Sequence, residues 1–343
     1  MVLVSIGISW KIGRVLGGGM EKNIANRPVG GYFELELGVK SNDFHQQGIF
    51  LNSGRNALEY VVVANGIKKL YVPKFTCKVV LEPLRKHGVS IEFYNINDRL
   101  EIDDEQQIGS GEFLLYTNYF GIKDGYVKAL AERYQEKLIV DNAQALFADP
   151  IGGTNVIYSP RKFVGMPDGG IAYSCKRLDD DFERDLSFGR CTHLLKRHDL
   201  KPSEGYDDFR TDESTLANRD IMWMSDLSKK IFRSLDVRSI IERRRSNFEY
   251  LDRFLSSTNQ FVLPDFESFC CPMVYPYYST DENLRKKLIS NDVFVATYWP
   301  NVFEWCENDS VEYRLALHLL PLPIDQRYGF DDMDRIIDLV LNK

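Results

Sequence analysis

What this sequence has little of sets its first limits. Its six cysteines, at 77, 175, 191, 270, 271 and 306, include no C-x-x-C pair and no paired framework. In a chain of 343 residues that pattern reads as reduced thiols of a cytoplasmic protein, some of them buried, and not as a disulfide scaffold. Only five histidines occur (45, 87, 193, 198 and 318), none in an H-x-x-x-H pair, so no metal site is expected. Positive charge is in deficit, with a formal net charge of −7, which argues against a nucleic-acid surface because phosphate backbones demand concentrated Lys and Arg. The one basic run, Arg243-Arg244-Arg245, falls on a predicted helix and reads as a solvated face or a set of ion pairs. Bilayer-length apolar runs are missing as well. MVLVSIGIS at the start is too short to span a membrane, and its first charge, Lys11, follows the run instead of preceding it, so neither an anchor nor a signal peptide is expected. Residues 1–19 read as a loose extension, with Met20 as an alternative start.

What is present is an ordinary globular composition, 44% hydrophobic and 27% charged, in a chain long enough for two lobes. Short apolar runs alternate with helices of about ten residues. Arg55–Ala64 is a predicted helix stopped by Asn65-Gly66, Lys69–Val72 a strand, Cys77–His87 a helix, and Val89–Tyr94 a strand. Phe113–Tyr116 is a strand, Tyr126–Gln135 a helix, and Lys137–Asp141 another strand. This is the pattern of an α/β sheet wound with helices on both faces, where ligands collect at the strand ends. A helical pattern from Asp226 to Ser256, with a break expected near Asp236, connects to a smaller C-terminal α+β lobe whose last helix begins near Asp331. The expected division is 20–240 for the large domain and 241–343 for the small one.

The chemistry concentrates between Leu138 and Tyr173. Asp141 ends an apolar strand, and Lys162 stands between two further short strands. Pyridoxal phosphate chemistry needs such a pair: a lysine to bond the cofactor's aldehyde and a carboxylate to keep a proton on its pyridine nitrogen. Ser159 precedes Lys162 in an S-x-x-K spacing, where a hydroxyl can reach the cofactor phosphate, and Gln144 follows Asp141 by three and can reach the ring hydroxyl. Upstream, Ser53-Gly54-Arg55 opens a predicted helix, so free backbone N–H groups and a positive helix end are available to a phosphate.

LNSGRNAL, YVPKFTC, TNYFGIKD, VDNAQALFA, YSPRKFVGMPDGG and LPIDQRYGFDDMDRII, in that order, resemble the DegT/DnrJ/EryC1/StrS family of pyridoxal-phosphate aminotransferases. The resemblance runs from about Tyr32 to the C-terminus and is patchy between Leu178 and Ser225. It implies the aspartate aminotransferase fold, fold type I. It also implies transfer of an amino group from an amino acid, commonly glutamate, to a keto sugar on a nucleotide. Family relatives that remove a sugar hydroxyl carry histidine in place of the lysine, so Lys162 implies amino transfer. Gly169 stands seven residues past Lys162, where the family's Glu-Gly-Gly begins its glycines.

Other site residues follow from the same resemblance. Phe75 is the expected ring-stacking residue, with Cys77 in the same range and lacking a π face. Tyr119 and Trp299 are candidate pocket walls. Arg161 is a candidate partner for the phosphate or a substrate carboxylate. The polar 178–225 stretch, with Arg190, His193, Arg210, Asn218 and Arg219, is a candidate for substrate contacts. Two departures stand out: many family members carry the phosphate serine five residues before the lysine, where this chain has Ile157, and Met222-Trp223-Met224 replaces the Asn-x-Arg-Met whose asparagine reaches the neighbouring subunit's phosphate. The expected protein is a cytoplasmic homodimeric aminotransferase of polysaccharide or cell-surface glycan biosynthesis. A pyridoxal-phosphate enzyme acting on a non-sugar amine and a non-catalytic scaffold of the same fold are the alternatives.

Overall fold

The computed structural model describes residues 32–38, 42–104, 106–179 and 181–341; the expectation for residues 1–19 lies outside them. Seven strands form the main sheet: β1 (Ile49–Leu51), β2 (Lys69–Pro73), β3 (Ser90–Tyr94), β4 (Glu112–Thr117), β5 (Leu138–Asn142), β6 (Asn155–Tyr158) and β7 (Gly170–Tyr173). Their order is β1-β7-β6-β5-β4-β2-β3. The five strands β3, β2, β4, β5 and β6 are parallel, whereas β7 runs antiparallel to both β6 and β1. Hence β1 points the same way as the parallel five, and the C-terminal ends of six strands open on one edge.

Both faces of the sheet are covered, which is why β5 reads as a continuous buried run and not as an alternating one. Helices α1 (Gly54–Asn65) and α2 (Leu81–Lys86) cover one face, packing on Leu51, Leu70, Val72, Leu115, Ile139, Ile157 and Ala172. Against the other face lies α3 (Asp124–Tyr134), with Leu114, Tyr116, Leu138, Val140, Val156 and Tyr158 beneath it. Successive side chains on a strand alternate between faces. Ile139 lies on the α1 face, so Asp141 belongs to that face too, and by the same parity Ser159 follows Ile157. The sheet's alternation thus sends both residues to the side where α1 begins.

Two helices, α4 (Thr192–Asp199) and α5 (Tyr206–Thr215), form in the polar 178–225 stretch. Beyond it, the long helical pattern is divided into α6 (Asp226–Arg233) and α7 (Val237–Leu255). The break falls at Asp236, whose side chain accepts a hydrogen bond from Ser239 N at 3.2 Å and so caps α7. A second sheet follows, β8 (Val274–Tyr278) antiparallel to β9 (Leu319–Pro323), accompanied by α8 (Leu284–Ser290), α9 (Val302–Trp305), α10 (Val311–His318) and α11 (Phe330–Val340). Among the described residues no helix is long and apolar enough to cross a membrane.

Of the arginine run on α7, Arg243 is exposed and Arg245 pairs with Glu267 at 3.4 Å, as a solvated face or set of ion pairs would have it, but Arg244 departs from that reading. Arg244 is buried, donating to Gln326 Oε1 at 2.9 Å and to the Met273 carbonyl at 3.0 Å, with its guanidinium 4.7 Å from the centre of the Phe163 ring. Gln326 in turn donates to the Phe163 carbonyl at 2.8 Å. A buried arginine therefore reaches, through one amide, the peptide that follows Lys162. Arg245 caps the carbonyls of Phe269 and Cys270 at 2.8 and 3.0 Å.

Candidate active site

Close approach of backbone creates the site's shape. Gly170 opens β7 directly against the turn into α1, where a Cβ would lie 2.0 Å from the Ser53 carbonyl oxygen, so only glycine fits. Gly54, the first residue of α1, faces Ser159: a Cβ there would lie 3.2 Å from that of Ser159. The start of α1 and the S-x-x-K serine therefore share one notch. Ser53 caps α1, its hydroxyl accepting from Asn56 N at 3.1 Å and donating to Asn56 Oδ1 at 2.5 Å, which leaves backbone N–H groups as the helix's offer to an anion.

Asp141 is buried at the end of β5, with Oδ1 accepting from Ala143 N at 2.9 Å. Burial pushes its carboxyl above the usual range, and the positive charge of Lys162 is the next influence, pulling it back down. Lys162 is thus within electrostatic reach of Asp141. It ends the short turn Pro160–Lys162 after Ser159, is exposed, and its amine makes no hydrogen bond or ion pair among the described residues. Gln144 is fully buried. Its Oε1 accepts from Phe120 N at 2.8 Å, whereas Nε2 is buried with no partner. A buried amide N–H without an acceptor is costly unless something else supplies one.

Pyridoxal phosphate can be tested against this arrangement. It needs a carboxylate for its ring nitrogen, a donor for its ring hydroxyl, an amine for its aldehyde and an anion cradle. Asp141, the orphaned Gln144 Nε2, Lys162 and the notch between Gly54 and Ser159 supply one of each, so the residues fit.

Other expected site residues are placed differently. Phe75 is fully enclosed, its ring 5.6 Å from Tyr119 and edge-on to Trp299 at 5.2 Å, so it presents no open face for stacking. Within the same range, Cys77 is the half-buried residue. Tyr119 is also fully buried and donates to the Phe75 carbonyl at 2.9 Å, and Trp299 completes that aromatic cluster. These three are joined by packing, the ordinary use of large rings. In the polar stretch, Arg190 and Arg219 pair with the buried Asp185 at 2.6 and 3.0 Å, and His193 pairs with Asp212 at 2.6 Å, so all three are held by carboxylates of their own segment.

Two carboxylates that tie the site's surroundings together carried no clear sequence signal. Asp168, buried before the paired glycines, accepts from Ser225 N at 2.9 Å and Ser225 Oγ at 2.6 Å, and also from Ser228 Oγ. It thereby ties the glycine turn to the start of α6; the Ser-x-x-Ser spacing at the helix start was the available hint. Glu213 on α5 pairs with Arg161 and lies 3.9 Å from Arg55. Nothing in a polar helix foretells that reach.

The raised Asp141 makes a testable trade. A carboxyl whose folded value is raised binds its proton more tightly folded than unfolded. Folding is therefore favoured as pH falls through the raised value, and that contribution is lost as pH climbs past it. Above that range the desolvated carboxyl therefore destabilises the cofactor-free chain. Asp141→Asn is expected to raise the cofactor-free Tm on the order of a few °C at pH 7, with the gain shrinking in acid, while weakening cofactor binding. A pH series of thermal melts checks this; an unchanged or lower Tm at pH 7 contradicts it.

Comparison with solved structures bears on the fold. No family model matches the chain, and no curated protein does. Among solved structures, S. venezuelae DesV in complex with a ketimine intermediate is 16% identical, with a TM-score of 0.61 over 86% of this chain and 84% of that one. A DegT DnrJ EryC1 StrS aminotransferase from Brucella abortus is 15% identical, with a TM-score of 0.57 over 86% and 85%. The sugar aminotransferase CalS13 from Micromonospora echinospora is 14% identical, with a TM-score of 0.58 over 86% and 87%. The chain therefore has the fold of these aminotransferases, the fold type I architecture that its sequence resemblance implied.

Proposed function

We propose that this protein is a pyridoxal-phosphate-dependent aminotransferase. In this reading it moves an amino group from an amino acid, glutamate among the donors, to a keto sugar nucleotide or a related carbohydrate intermediate of polysaccharide or cell-surface glycan biosynthesis. It works in the cytoplasm as a homodimer. The observation that carries the proposal is the convergence, at one strand-end edge, of a buried Asp141, the Lys162 amine within its electrostatic reach, and an anion notch between Gly54 and Ser159.

When bound, the cofactor supplies an aldehyde for amines and a ring that draws electrons from the substrate carbon. Everything else falls to the chain. Asp141 holds a proton on the ring nitrogen as a charge-assisted pair, for which burial is suited because the partner charge offsets the desolvation. Gln144 Nε2 donates to the ring hydroxyl and loses its orphan status. Ser159 and the first N–H groups of α1 hold the phosphate. Lys162, whose amine has no partner among the described residues, would move a proton between the substrate carbon and the cofactor, a role that needs a mobile amine.

The test is direct. Purified protein is mixed with pyridoxal phosphate, then with donor amino acids and keto sugar nucleotides. Yellow absorbance followed by an aminated sugar and a keto acid is the expected result. A protein that stays colourless with added cofactor contradicts the proposal and favours a scaffold; coloured protein that aminates only non-sugar carbonyls overturns the substrate.

A further inference from the structure

Glu213 occupies an unusual place for a residue of a polar surface helix. Its carboxylate receives two arginines from the rim of the notch: Arg161 is ion-paired to Oε1, and Arg55 Nη2 lies 3.9 Å from Oε2. Arg55 follows Gly54 at the start of α1, and Arg161 comes two residues after Ser159, so both arginines leave the backbone beside the place proposed for phosphate and meet at Glu213. Both make further, weak contacts: Arg55 Nε lies 3.4 Å from Glu82 Oε2, an ion pair without hydrogen-bond geometry, and Arg161 Nε reaches the Met166 carbonyl at 3.4 Å.

The helix that brings Glu213 there is lightly held. Helix α4 buries none of its residues, and α5 buries only Asp212. Asp212 and Asp208 bind His193 and Lys196 of α4, at 2.6 and 2.7 Å, so the two helices grip each other. Such a pair, with little apolar burial, belongs to the low-stability end of a fold and can move as a unit.

We propose that Glu213 is a removable counter-ion: it holds Arg55 and Arg161 in the cofactor-free chain, and the cofactor's phosphate displaces it, so that the two arginines clamp the phosphate and α5 is released. The clamp rests on the cofactor reading above; the latch also answers to inorganic phosphate. A phosphate carries up to two charges and three acceptor oxygens against one charge and two oxygens for a carboxylate, so it wins the guanidinium groups and also uses the helix N–H groups that Glu213 leaves unused. Both arginines come from the same chain as Lys162. They would supply, from within one subunit, a phosphate contact in place of the asparagine that the 222–224 segment lacks.

Inorganic phosphate is titrated into the whole cofactor-free protein while hydrogen exchange is followed over 206–215. In the natural sequence phosphate is expected to accelerate exchange of α5. In Glu213→Gln, α5 is expected to exchange fast from the outset, and phosphate to bind about three- to tenfold tighter, the scale of one partly exposed ion pair. Unchanged phosphate affinity in Glu213→Gln, or α5 exchange indifferent to phosphate, overturns the latch. A second arm compares pyridoxal phosphate with pyridoxal, which lacks the phosphate. Arg161→Gln is expected to weaken the former about tenfold or more, the loss of a charge-assisted pair, and to leave the latter unchanged; equal effects on both overturn the clamp. Visible absorbance keeps the two readings apart. Protein that turns yellow while Glu213→Gln behaves like the natural sequence sinks the latch alone. Protein that releases α5 to phosphate but never colours sinks the cofactor reading alone.

Discussion

Lys162→Ala is expected to give a folded protein that no longer turns yellow with pyridoxal phosphate and has lost amino transfer. The side chain is exposed and its amine pairs with nothing among the described residues, so its removal leaves no cavity and no orphaned partner. Stability should therefore stay within about 0.5 kcal/mol, as for an ordinary surface substitution. Activity should fall by at least about 10²–10⁴, the usual contribution of a positioned proton carrier, and further because the covalent link to the cofactor is gone as well. Loss of that one positive charge should also move Asp141 further up, since Lys162 is the main charge drawing its carboxyl down. Melting curves and a cofactor absorbance titration, side by side, check this. Retained yellow colour would place the reactive amine elsewhere.

Gly170→Ala is expected to do the reverse, damaging the fold first and the site with it. The added methyl would lie 2.0 Å from the Ser53 carbonyl oxygen and 2.3 Å from its carbonyl carbon, backbone atoms that no rotamer change can move. Either β7 or the start of α1 must shift. Overpacking usually costs about 1–3 kcal/mol, and a backbone collision belongs at or above the top of that range. Because the displaced peptide is the one that leads into the α1 cap, cofactor affinity should fall together with Tm. Gly152→Ala is the matched control, since a methyl there meets nothing within 4 Å, and it should change neither. A Gly170→Ala protein with the natural Tm and cofactor affinity would mean that the notch does not depend on that close approach.

The parts of this molecule that sequence made legible are those fixed by local chemistry. The five buried residues of β5 could be only a central strand in so short a run, and the carboxylate at its end followed from position alone. Asp236 announced the break between α6 and α7 because an aspartate before a helical run is a cap. Long-range partners were not legible. Whether Phe75 shows a face or is enclosed depends on Trp299, which arrives from more than two hundred residues later. Arg244 reads as surface in a run of three arginines, and only the fold supplies the carbonyl of Met273 and the ring of Phe163 that bury it. Glu213 is an ordinary helix residue until α5 is laid across the rim of the notch.

All of this depends on one small aromatic molecule being held at both ends by Asp141 and Lys162. A crystal structure of the protein soaked with pyridoxal phosphate measures that most directly. The account predicts density continuous from Lys162 Nζ into the cofactor, with the ring nitrogen about 2.7–2.9 Å from an Asp141 oxygen, a charge-assisted distance. A cofactor bonded to another lysine, or a ring nitrogen facing solvent with Asp141 unengaged, would contradict it.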